Sequence, residues 1–108
     1  MINKEIIKEI KDKIVGMYHP EKIILFGSYA NGTPTINSDL DILIVSDKER
    51  NLPRRKRGLD LLYELRKYHF SKDIVIYTSK EIEEWENVRS AFITEIMNKG
   101  ILLYEKQN

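Results

Sequence analysis

The sequence predicts a small α/β domain of the α+β kind, with a mixed β-sheet of about four strands flanked by helices. Three observations carry this. The 108 residues, 42% of them hydrophobic, suffice for one compact core and for one domain spanning residues 1–108. Segments with apolar residues three and four apart alternate with short apolar or period-two runs, in the order helix, strand, strand, helix, strand, helix, strand. No internal repeat, low-complexity stretch or interdomain linker interrupts that order.

Ile6, Ile10 and Ile14, with Ile7 and Met17, mark a first amphipathic helix, capped by Asn3 and ending near His19 and Pro20. Lys22 to Phe26 is a short apolar run stopped by Gly27, as in a buried strand entering a tight turn. After the loop-like stretch SYANGTPTINS, residues Asp39 to Val45 alternate. Asp39, Asp41, Leu43 and Val45 share one face of a strand, and Leu40, Ile42 and Ile44 the other. Pro53 suits a helix's first turn, and Leu59, Leu62, Tyr63 and Arg66 predict a second long helix running to about Tyr68. Asp73 to Tyr77 is the third strand, and Thr78 with Glu81 forms a capping box for a helix striped by Trp85, Val88, Phe92, Ile96 and Met97, with a break near Arg89 and Ser90. Gly100 stops that helix, and Ile101 to Tyr104 adds a last short strand.

Composition narrows the function classes. Eighteen basic against 17 acidic residues leave a formal charge of +1, so nothing attracts nucleic acid or an anionic membrane globally, and direct nucleic-acid binding is not expected. The absence of cysteine excludes thiolate catalysis, thiolate metal ligation and disulfides. The first residues alternate apolar and charged side chains, unlike a signal peptide, and no run could span a bilayer. A cytoplasmic protein is expected.

The chemistry is carried by a coincidence of two short motifs. Gly27-Ser28 and Asp39-Leu40-Asp41 are each common in isolation, but here both adjoin an apolar strand. The strand period puts Asp39 and Asp41 on one face with backbones roughly 7 Å apart. Two carboxylates so placed raise each other's pKa unless a cation lies between them, and hard oxygen donors suit Mg²⁺ or Mn²⁺. Gly27 allows a ligand close to the backbone, and the Ser28 hydroxyl with neighbouring N–H groups can meet triphosphate oxygens. Asp73 heads another apolar strand and is the third candidate ligand. With two metals about 4 Å apart, Asp39 and Asp41 would bridge the ions and Asp73 would serve the nucleophile side as ligand or proton acceptor.

The segment ILFGSYANGTPTINSDLDILIV resembles the signature of the nucleotidyltransferase family of the DNA polymerase beta superfamily, and the short chain is similar to its minimal branch. The resemblance extends from the leading helix to ILLYE and implies a nucleotidyltransferase fold. It implies that Gly27 and Ser28 are the phosphate-binding pair, that Asp39 and Asp41 bind metal, and that Asp73 is the third carboxylate. Asn31 departs from the pattern, standing where many relatives carry arginine, which removes a positive charge near the phosphates. The resemblance further implies ATP as substrate and Mg²⁺ as cofactor. It also implies a helical HEPN-class toxin as partner, inactivated by AMP transfer to a tyrosine. The chain would be the antitoxin. Its size agrees, because a domain this small has little surface with which to enclose a second substrate.

Other features have plainer readings beside the functional ones. The run Arg54 to Arg57 is a solvated face, or else a contact for triphosphate, an acidic partner or bound RNA. His19 and His69 sit near helix ends, where histidine meets terminal carbonyls, and enter no site. Trp85 and Phe92 read as core or dimer contact, and Tyr29 as packing beside the nucleotide or as filling for its loop. Two rival functions remain: a module that neutralises its partner by occlusion alone, and a small-molecule nucleotidyltransferase. The latter lacks a separate helical domain for its acceptor.

Overall fold

A computed structural model describes residues 2–85 and 92–107. Helix α1 (Lys4–Tyr18) is capped as expected, the Asn3 side chain accepting from the Ile6 N–H at 2.9 Å. Ile10, Ile14 and Tyr18 recur every four residues and are its buried stripe. His19 ends the helix in a left-handed conformation (φ 44°), its backbone N–H donating to the Val15 carbonyl at 3.1 Å. The backbone of His19, not its ring, therefore meets a terminal carbonyl.

Four strands, β1 (Lys22–Phe26), β2 (Leu40–Val45), β3 (Lys72–Tyr77) and β4 (Ile101–Glu105), form a mixed sheet in the order β3-β2-β1-β4. β1 runs antiparallel to both neighbours, and β2 and β3 are parallel. The alternation expected along β2 is observed. Leu40, Ile42 and Ile44 join Ile23, Leu25 and Ile76 against α1 on one face. Leu43 and Val45 join Ile24 on the other, against Ile82 of α4 (Ser79–Trp85) and Ile93 and Ile96 of α5 (Phe92–Lys99). β2 is thus covered on both faces, which accounts for its nearly unbroken apolar sequence.

The second helix departs from expectation. Instead of one long helix there is a 3₁₀ turn, Arg54–Lys56, followed by the six-residue α3 (Leu59–Glu64). Gly58 separates them at φ 85°, a left-handed conformation that interrupts helical propagation. The buried stripe is Leu61 and Leu65, whereas Leu59, Leu62 and Tyr63 are exposed. In a helix this short, packing against α1 overrides the longer apolar periodicity.

The capping box is present: Glu81 Oε1 accepts from the Thr78 N–H at 2.8 Å, and Thr78 Oγ1 from the Glu81 N–H at 3.2 Å. Of the stripe expected beyond it, Ile96 is buried but Trp85 and Phe92 are exposed, with Ile82 and Ile93 taking the inward positions. Val88, Arg89 and Ser90 lie outside the described residues. Among the described residues no helix is long and apolar enough to cross a membrane.

Candidate active site

The sheet topology assembles the site. Because β1 is antiparallel to β2 and β2 parallel to β3, the last residue of β1 lies beside the first residues of the other two. Phe26 pairs with Asp41, and Asp41 with Asp73, making one row across three strands on the face covered by α4 and α5. Asp39 precedes β2, which begins at Leu40, and is exposed. The strand therefore starts one residue later than its alternation suggested.

Gly27 follows Phe26 directly, with φ 73° and ψ −154°, a region essentially reserved for glycine. A Cβ at Gly27 would fall on the Asp41 carboxylate, so that carboxylate occupies the space the missing side chain leaves. Ser28 then opens the four-residue α2 (Ser28–Asn31), which Gly32 closes at φ 74°. The turn and the acidic strand are thus in contact, a relation that ten intervening residues conceal in the sequence.

Burial, then the charges of Asp73 and Asp39, push the Asp41 carboxyl above its ordinary value. Lys72, although adjacent to Asp73, offers no relief. Its Nζ donates to the Tyr68 and Phe70 carbonyls at 2.6 and 2.9 Å on the opposite face. None of the ion pairs among the described residues involves the three aspartates. Such a set of hard oxygen donors, short of positive charge, fits a divalent cation in kind. In this conformation, however, no three acidic or histidine side chains among the described residues are drawn closely enough together to hold one.

Other sequence features settle differently. The Tyr29 hydroxyl accepts from the Ile2 N–H at 3.2 Å and its ring packs on the α1 side of the sheet, so it fills the loop's base. Arg57 is buried, donating to the Leu52 and Ile76 carbonyls and, at 2.6 Å, to Glu81. Arg54 lies over the Tyr77 ring at 4.7 Å. Half of the basic run is therefore engaged within the chain. Sequence reasoning missed a cleft beside Gly27, lined in part by Asn31, Phe92 and Lys99. No spacing rule connects α5 to a turn after β1.

Comparison with known proteins decides the family. The family model for the nucleotidyltransferase domain matches residues 4–102. The chain belongs to the nucleotidyltransferase family. Two Methanocaldococcus jannaschii relatives are each described as a candidate protein adenylyltransferase. One is 32% identical over 99 residues, covering 90% of this chain and 94% of its own; the other is 36% identical over 104, covering 94% and 93%. A solved toxin–antitoxin structure with AMP-PNP superposes with a TM-score of 0.55 at 28% identity, covering 98% of this chain and 76% of its own. This nucleotidyltransferase therefore shares its fold with a protein that was crystallised beside an ATP analogue.

Proposed function

We propose that this nucleotidyltransferase acts as a single domain, residues 1–108, in the cytoplasm, and transfers AMP from ATP to a tyrosine hydroxyl of a helical HEPN-class toxin, so serving as its antitoxin. The observation that carries the reading is the contact of Asp41 with Gly27 at the sheet end where Asp73 pairs with Asp41. A phosphate-binding turn and a set of carboxylates short of positive charge are useful together when a polyphosphate arrives with its metal. The relatives described as candidate protein adenylyltransferases support a protein acceptor, and the toxin–antitoxin neighbour supports a toxin as that protein.

In this mechanism Gly27 and Ser28 seat the triphosphate, the glycine by leaving its backbone open and the serine through its hydroxyl. Asp39, Asp41 and Asp73 would hold Mg²⁺, which when bound neutralises charge on the phosphates. The acceptor oxygen bonds to the α-phosphorus as the bond from that phosphorus to the bridging oxygen breaks. Pyrophosphate leaves with that bonding pair, and Asp73 takes the hydroxyl proton. AMP remains on the acceptor.

The test is the intact mass of the helical partner after incubation with the enzyme, ATP and Mg²⁺, beside the Asp39→Asn/Asp41→Asn double variant. A gain of one or more AMP units, lost by at least about 100-fold in rate with the variant, is the expected result. A tight complex with no gain would favour the occlusion reading.

A further inference from the structure

The proposed phosphate-binding segment brings no cation of its own: between Ser28 and Asp39 there is neither lysine nor arginine. A triphosphate placed there would meet three aspartates on one side, and metal supplied through them compensates only that side. Beside Gly27 lies a cleft about 210 Å³ in volume, to which α5 contributes Phe92, Glu95, Ile96 and Lys99. Among the described residues lining it, Lys99 is the one cation.

α5 is held against β1 at both ends. At its start the Phe92 ring meets Phe26 edge-on, with centroids 5.5 Å apart and planes at 85°. At its end Gly100 lies so close to the sheet that a Cβ there would run into the Ile24 side chain and come within 2.7 Å of the Ile96 carbonyl. The Gly100 N–H donates to that same carbonyl at 2.8 Å. The Lys99 backbone is thus fixed at the rim of the cleft while its long stem stays free to turn. Its ion pair with Glu95, at 3.4 Å, is exposed on both sides (73% and 65%) and so holds the ammonium weakly.

Resting on the proposed function, we propose that Lys99 binds the polyphosphate of the nucleoside triphosphate from the α5 side of the cleft beside Gly27. An ammonium is a compact point charge that suits phosphate oxygens, and a flexible stem can follow the leaving pyrophosphate. Asn31, on the same cleft, can add hydrogen bonds but no charge.

The experiment displaces a ribose-labelled fluorescent ATP, in the presence of Mg²⁺, with ATP, tripolyphosphate or adenosine. Lys99→Ala should weaken ATP and tripolyphosphate by about tenfold and leave adenosine unchanged, Lys99→Arg should stay within about threefold of wild type, and Lys99→Glu should lose most. Glu95→Gln, which frees the lysine, should tighten tripolyphosphate by about twofold. An unchanged tripolyphosphate affinity in Lys99→Ala, or an equal loss for adenosine, overturns the assignment while the proposed function stands. Wild-type protein that binds none of the three ligands overturns both.

Discussion

Strand β3 ends in two electrostatic environments that are nearly opposite. At its start Asp73 adds to a group of aspartates that no described cation neutralises, and burial, with the charges of Asp73 and Asp39, pushes the Asp41 carboxyl up. At its other end Thr78, Glu81 and Arg57 form a closed knot. Arg57 donates to two carbonyls and to Glu81, and Glu81 caps the helix that Thr78 begins. Burial alone would raise the Glu81 carboxyl, but the hydrogen bonds and charge of Arg57, together with Thr78, bring it below its ordinary value. One end of the sheet leaves a half-buried carboxylate beside two others, and the other uses matched charge to fix the fold.

Breaking the knot should have the larger effect on stability. Arg57→Ala strands a partly buried carboxylate and two carbonyls, with an expected loss of about 2–3 kcal/mol in urea unfolding and little change in transfer per folded molecule. The sign with pH follows from the depressed Glu81 value. Its contribution is complete above the ordinary value of 4.5 and is lost as pH falls through the lower folded value, so Arg57→Ala should flatten the acid limb of the stability profile.

Gly27→Ala sharpens the comparison from the other end. It forces an unfavourable backbone and a collision with Asp41, with an expected loss of about 2 kcal/mol and a fall in transfer rate of more than about tenfold. Combined with Asp41→Ala, part of the stability loss should return, because the collision partner is gone. Additive losses in the double-mutant cycle would mean that the two residues do not press on each other. The smallest effect has the opposite sign: Asp41→Asn should stabilise the ligand-free protein by about 0.5 kcal/mol while transfer is lost. Thermal melts with and without Mg²⁺ check it, since only wild type should gain from the metal.

The legible parts of this protein were those written in local periodicity and local hydrogen bonding. The Asn3 cap, the two-faced alternation of β2 and the Thr78–Glu81 box are each decided within a few residues, so their chemistry is visible in order. The expectation of one long second helix fails for the same reason. Apolar residues at 59, 62 and 63 imitate a stripe, but Gly58 breaks the helix and Leu61 and Leu65 find the core.

What the sequence by itself determined was the order of the strands, a glycine-serine turn and three acids at or just before strand starts. The acids and the turn lie far apart in the chain, and only strand pairing could put Asp41 between Phe26 and Asp73 and beneath Gly27. The role of Arg57 as a buried anchor and the position of Lys99 beside the turn were likewise decided by the tertiary structure. Both depend on which elements stack across the sheet. Stacking is set by the summed burial of two apolar faces, a quantity that no short stretch of sequence contains.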